Sequence, residues 1–145
     1  MTNWDNRWVE LAHTVANWSK DRSTKVGAVI VDEREVLVSL GWNGFPRGID
    51  DNVEERHERP IKYKWTEHAE RNSLYNAAAN GSSTLNCRIY TTLFPCSDCC
   101  RGIIQSGIKK VISPKPDFDD ERWGEDFKIT LSMLREADID VELYE

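Results

Sequence analysis

Arg88-Ile89-Tyr90-Thr91-Thr92, then residues 97–106 closed by Gly107, then Lys109-Lys110-Val111-Ile112-Ser113 read in order as strand, helix and strand. The two flanking runs carry the β-branched and aromatic residues that suit a pleated sheet, and Gly107 is a helix stop. Upstream, residues 26–31 and 36–42 form two further strand-like runs around a charged turn at 32–35, which predicts a hairpin. Before the hairpin, Trp4, Trp8, Leu11, Val15 and Trp18 recur at helical spacing, so an amphipathic helix is expected over 5–19, followed by a polar loop over 19–25. Residues 43–66 are rich in Gly, Pro and charge and show no usable periodicity; they read as a functional loop. A helix over 67–80 stops at Gly81. Beyond the opening stretch lie an acidic loop at 114–120, a helix over 124–136 and a strand over 139–143. A hairpin followed by strands alternating with helices predicts an α/β fold: a three-layer α/β/α sandwich with a central mixed five-stranded sheet, in one domain over 1–145.

Composition narrows the function. Among 145 residues, 19 Lys and Arg face 25 Asp and Glu, a net charge of −6, and the pI is about 5.1. That balance argues against a nucleic-acid polymer as partner, which calls for a basic face. No apolar run approaches the roughly 20 residues that span a bilayer, and the first residues lack a charged-then-apolar leader pattern, so no membrane partner and a cytoplasmic location are expected. Of four cysteines (Cys87, Cys96, Cys99, Cys100), three fall within five residues. They are too clustered to staple distant parts of a fold, and point to metal binding or redox chemistry.

Two motifs carry the chemistry: His68-Ala69-Glu70 at the start of one helix and Pro95-Cys96-Ser97-Asp98-Cys99 at the start of the next. Imidazole and two thiolates are good zinc ligands, and the two-residue gap lets Cys96 and Cys99 reach one ion. Three protein ligands leave a position for water, as a catalytic zinc requires. Both helix N-termini turn partial positive charge toward the site, favouring thiolate and hydroxide. Glu70 lies two residues from His68 and cannot share its face as a fourth ligand; beside the metal, its carboxylate could shuttle protons. This His-x-Glu and Pro-Cys-x-x-Cys arrangement is the signature of zinc nucleobase deaminases. A Cys-x-x-Cys pair is also a common structural-zinc half-site or redox pair. A structural zinc needs a fourth ligand, for which His13, in the first helix, and His57, in a charged loop, are the candidates. Cys87 and Cys100 read as plain buried thiols.

The chain resembles the deoxycytidylate (dCMP) deaminases of the cytidine deaminase-like superfamily. The resemblance runs from about residue 19 to 112. It rests on Ser19-Lys20-Asp21 through Lys25-Val26-Gly27-Ala28-Val29-Ile30-Val31, on Gly41-Trp42-Asn43-Gly44-Phe45-Pro46-Arg47-Gly48, on the two zinc motifs, and on Ile103-Ile104-Gln105-Ser106-Gly107-Ile108. It implies zinc-dependent hydrolysis of dCMP to dUMP and ammonia, supplying dUMP for thymidylate synthesis. Zinc-activated water would attack C4 of the cytosine and Glu70 would move the protons. The Ala69 backbone would hold O2, Asn43 the sugar or base, and Ser23 and Lys25 the phosphate, with Lys20 and Arg22 nearby. Phe118 is the candidate aromatic gate. Regulation by dCTP and dTTP, with Mg2+, would involve Gly44, Arg47, Gly48 and Asp51, and a homo-oligomer (dimer or hexamer) is expected. Two features depart from the pattern: residues 54–60, and Glu67 directly before His68, which alters substrate choice or caps the helix. The alternative on the same scaffold is a zinc deaminase of another cytosine nucleoside or nucleotide, or of a purine base. A non-catalytic zinc module has no use for Glu70.

Overall fold

The computed structural model describes residues 1–145. Helix α1 spans Asn3–Ala16, starting and ending a little earlier than the 5–19 predicted from sequence. Its start is set by a reciprocal cap: Asp5 N–H donates to Thr2 Oγ1 at 3.0 Å and Thr2 N–H to Asp5 Oδ2 at 2.9 Å. The expected stripe coincides with the buried face only in its middle: Val15 is fully buried and Trp8 and Leu11 pack against the same core. Trp4 and Trp18 are 46% and 49% exposed, while Ala12, Val15 and Ala16 pack inward. The reason is a close approach: a Cβ on Gly27 would stand 2.1 Å from the Ala12 carbonyl oxygen. At that crossing α1 presents Ala12 and Ala16.

Strands β1 (Gly27–Val31) and β2 (Leu37–Trp42) form the antiparallel hairpin. Strand β3 (Arg88–Thr91) pairs antiparallel with β1, whereas β4 (Lys110–Pro114) and β5 (Asp140–Tyr144) continue parallel to it. The order β2-β1-β3-β4-β5 is the mixed five-stranded sheet expected. Helices α3 (Ala69–Ala79), α4 (Ser97–Gln105) and α5 (Gly124–Glu136) cover one face and α1 the other, giving three layers. Strand β1 is buried along its whole length because both faces are covered. Its side chains alternate: Ala28 and Ile30 join the core under α3 and α4, and Val29 and Val31 the core under α1.

Two expectations are corrected. Residues 43–66 are not irregular throughout, since a 3-10 turn forms at Glu54–His57 and a short helix, α2, at Lys62–Trp65. Helix α3 starts at Ala69 and not at residue 67, because Glu67 is held extended by paired backbone bonds with Gly44 at 2.8 and 3.1 Å.

A polar chain ties α1 to the sheet. The fully buried Tyr90 donates its hydroxyl to Asp5 Oδ1 at 2.5 Å and accepts from Arg88 Nε at 3.1 Å. Arg88 pairs with Glu35 at 2.6 Å, and Glu35 accepts from Trp8 Nε1 at 2.8 Å. Burial pushes the Asp5 carboxyl up, but the bonds from Tyr90 and Thr2 outweigh it and hold the group below its ordinary 3.8.

A lowered folded-state value stabilises the protein above about pH 4, and the stabilisation is lost as pH falls through the folded value. Asp5→Asn is therefore expected to destabilise by about 1–2 kcal/mol at pH 7, with the gap to the unsubstituted chain closing below pH 4 in urea unfolding followed by tryptophan fluorescence. A gap of equal size at pH 7 and pH 3 would contradict this. Gly27→Ala, which forces α1 off β1, should cost about 1–3 kcal/mol or more in the same assay.

Candidate active site

His68 is the N-cap residue of α3, but its side chain caps nothing, which frees the ring. Cys96 is the N-cap of α4, and its Sγ accepts weakly from Cys99 N–H at 3.5 Å. The two helix starts bring His68 Nδ1 to 3.4 Å from both Cys96 Sγ and Cys99 Sγ. All three donor atoms lie within 4.8 Å of one another, and both cysteines are buried. One imidazole nitrogen and two buried sulfurs, converging at this range, are a donor set that fits zinc. The two thiols split in character. A hydrogen bond from Cys99, with His68 close by, pulls Cys96 down to about 4 against its burial. Cys99, as the donor of that bond and buried, is pushed up. A dication in place of the shared proton would hold both as thiolates.

Helix α3 is fixed by its contact with β2. Gly41 lets the backbones touch, since a Cβ there would stand 2.4 Å from Ser73 N. Three side chains lace the pair: Asn72 Nδ2 donates to the Trp42 carbonyl, Asn76 Nδ2 to that of Leu40, each at 2.8 Å, and Ser39 Oγ to that of Ser73 at 2.7 Å. Helix α4 is fixed from α5, whose Asp126 accepts from Ser97 N–H at 2.8 Å and Ser97 Oγ at 2.6 Å. Glu67 accepts from His68 N–H at 3.1 Å and pairs with Arg71 at 2.6 Å, so its carboxylate is engaged beside the start of α3.

His68, Ala69, Glu70 and Cys96 line one cleft of about 150 Å³. Glu70 is 4% exposed there, and burial lifts its carboxyl to about 7 against the pull of His68. A carboxyl so raised can both take and give a proton near neutrality. Asn43, also lining the cleft, is committed to the loop ahead of β1: its Oδ1 accepts from Val26 N–H at 2.9 Å and its Nδ2 donates to the Thr24 carbonyl at 2.8 Å. The second amide hydrogen is left for the cleft.

Other expected residues fall differently. Ser23 lines the cleft, but Lys25 is exposed and does not. Lys20 pairs with Asp51 at 3.3 Å, and Arg22 clasps Glu54 at 2.7 and 3.0 Å. The cations that do line the cleft are Arg59, Lys62 and Arg122, which the sequence reading missed. Asp21 is raised by burial but held below its ordinary value by Ser23 N–H, Thr24 N–H and Lys62. Phe118 lies off the cleft, its carbonyl packed against Gly124. Trp123 stands there instead, edge-on to His68 with centroids 6.5 Å apart and stacked on Phe127. An aromatic directly ahead of a helix was the available signal.

Gly44 and Asp51 line a second cavity with Lys20, while Arg47 lines a third with Asn72, and Gly48 borders neither. His13 is exposed on α1, and His57 Nε2 contacts the Asp51 carbonyl at 2.6 Å; neither joins the His68 cluster. The Cys100 Sγ faces the Thr130 carbonyl at 3.7 Å, and Cys87 is buried in the same core.

A metal-ready His/Cys/Cys cluster at two helix N-termini, with a buried carboxyl two residues from the histidine, defines the class of zinc nucleobase deaminases. The chain belongs to the family described as the cytidine and deoxycytidylate deaminase zinc-binding region, whose model matches residues 2–114. It is 40% identical over 142 residues to an uncharacterised deaminase of Aliivibrio fischeri, covering 97% of this chain and 93% of that one. It is 35% identical over 122 residues to the deoxycytidylate deaminase of Homo sapiens, covering 81% of this chain and 67% of that one. The curated animal relatives are longer, and the chain spans 54% of a probable deoxycytidylate deaminase of Caenorhabditis elegans. The dCMP deaminase of cyanophage S-TIM5, solved with dCMP and dUMP, superposes with a TM-score of 0.80 at 25% identity, over 99% of each chain.

Purified protein is expected to carry one zinc per chain by elemental analysis. Cys99→Ala should lower this at least tenfold, since a vacated first-coordination position is not replaced by any neighbouring donor. Cys100→Ala should leave it unchanged.

Proposed function

We propose that this chain catalyses hydrolytic deamination of dCMP to dUMP with release of ammonia, through a single deaminase domain and one Zn2+. The observation that carries the reading is the meeting of His68, Cys96 and Cys99 at the wall of the cleft that His68 and Cys96 line together with the buried Glu70. A zinc ion held by those three residues would lower the pKa of water and so supply the nucleophile for hydrolysis. Glu70 takes a proton from the attacking water and delivers it to N3 of the ring. It then takes the proton of the new C4 hydroxyl and delivers it to the amine, which departs as ammonia as the C4 carbonyl forms. Its raised carboxyl suits both directions of transfer. The Ala69 backbone, buried at the start of α3, holds the base edge, and Asn43 offers its remaining amide hydrogen to the sugar. Trp123 supplies an aromatic wall beside His68.

The phosphate favours a nucleotide such as dCMP over the unphosphorylated rivals. A cytosine nucleoside or a free purine base needs no cations, yet this net-acidic chain turns three toward the cleft. Regulation by dCTP and dTTP, with Mg2+, belongs to the same reading, supported by Gly44, Asp51 and Lys20 lining one adjoining cavity. Arg47 and Gly48 lie outside that cavity. The exposed Trp4 and Trp18 support a homo-oligomer, dimer or hexamer. No helix is long and apolar enough to cross a membrane; a cytoplasmic role in supplying dUMP for thymidylate synthesis completes the proposal.

Ammonia release should be measured across dCMP, CMP, deoxycytidine, dCTP, guanine and adenosine at equal concentration. Turnover centred on dCMP is expected; turnover of an unphosphorylated ring with dCMP inert would overturn the substrate. Glu70→Gln should lose about 10²- to 10⁴-fold in kcat while keeping its zinc.

A further inference from the structure

We infer that Lys62 is the residue that reads the substrate's 5′-phosphate, with Asp21 as its positioning residue. This rests on the dCMP reading above and assigns the phosphate contact within it. Lys62 is the one lysine of the chain that is buried, its side chain 9% exposed, and it borders the cleft that holds His68 and Glu70. A buried ammonium is costly unless paired. Its partner is Asp21 Oδ1 at 3.1 Å, with Asp21 itself only 7% exposed, and Ser23 Oγ lies at 3.5 Å. Three N–H donors therefore face one good acceptor and one distant one, which leaves donor capacity for an incoming anion.

Elimination points the same way. The loop between α1 and β1 cannot present the main-chain N–H groups of Ser23 and Thr24 to an anion, since Asp21 Oδ1 already accepts both, at 2.8 and 3.0 Å. The loop's own cations are turned elsewhere: Lys20 to Asp51, Arg22 to Glu54, and Lys25 to solvent. Arg59 and Arg122 also line the cleft, but both are exposed. An exposed charge contributes through a screened field, whereas a buried, oriented ammonium makes a short charge-assisted bond. Asp21 thus does three things with one carboxylate: it folds the 22–24 turn, presents the Ser23 hydroxyl, and aims Lys62.

The test is the ratio of kcat/KM for dCMP to that for deoxycytidine, in the zinc-loaded enzyme, for the unsubstituted chain, Lys62→Met and Lys62→Arg. Lys62→Met should lower the ratio about 10- to 100-fold, mainly by raising KM for dCMP, and should weaken competitive inhibition by inorganic phosphate in step. Lys62→Arg should recover most of the loss. A purely structural Lys62 would cut both substrates in equal proportion and leave the ratio unchanged, which would overturn the inference while dCMP turnover by the unsubstituted chain stood. An unsubstituted chain inert toward dCMP would remove the functional reading and this inference with it. If the unpaired Asp21 unfolds Lys62→Met, Asp21→Asn/Lys62→Met removes both charges and carries the same expected ratio.

Discussion

Three side chains at two helix starts must bring their donor atoms within 4.8 Å of one another, and the rest of the architecture answers to that distance. His68 and Cys96 are both helix N-cap residues, so the cluster exists only if the starts of α3 and α4 are held in fixed relation. Neither helix is held by the cluster alone. Helix α3 is pressed onto β2 at Gly41 and laced there by Asn72, Asn76 and Ser39. Helix α4 follows β3 directly and is gripped at Ser97 by Asp126 of α5. The sheet on one side and α5 on the other thus position the two helix starts, and the site side chains inherit their placement from that packing.

That division explains what could be read from sequence. The pairing of Cys96 with Cys99 was legible because their spacing is local. His68 was joined to them through the His-x-Glu and Pro-Cys-x-x-Cys pattern, since its approach depends on how α3 and α4 are held. The mixed five-stranded sheet was legible because a hairpin followed by alternating strands and helices admits few arrangements. The outward turn of Trp4 and Trp18 was not, since the buried face of α1 is decided by the missing side chain at Gly27, on another element. Spacing reports that a helix has two faces; it does not report how close the neighbouring strand comes.

The same limit governs the cleft. Lys25 and Lys62 are equally basic, and Lys25 stands beside the matching family residues. Yet Lys62 reaches Asp21 across 41 positions of sequence, from a segment with no periodicity. Likewise, Phe118 sits in the expected place after β4, but Gly124 draws its backbone against the start of α5, and Trp123 takes the position edge-on to His68. Both displacements arise where a loop docks on a distant element, an interaction that local pattern does not encode.

Charge is arranged with the same economy. The chain carries six more acidic than basic groups, a surplus that would repel a nucleotide if it were spread evenly. Around the cleft it is not. Lys20 and Arg22 are drawn away by Asp51 and Glu54, and this tethers the 51–54 segment beside the cleft mouth. Asp21, the acidic group lining the cleft alongside Glu70, accepts from two backbone N–H groups and Lys62 at Oδ1, which offsets part of the charge that would oppose an anion. Arg59, Lys62 and Arg122 remain facing in. Under the proposed function, attraction for the phosphate comes from how the acidic groups are consumed, more than from how many basic groups the chain contains.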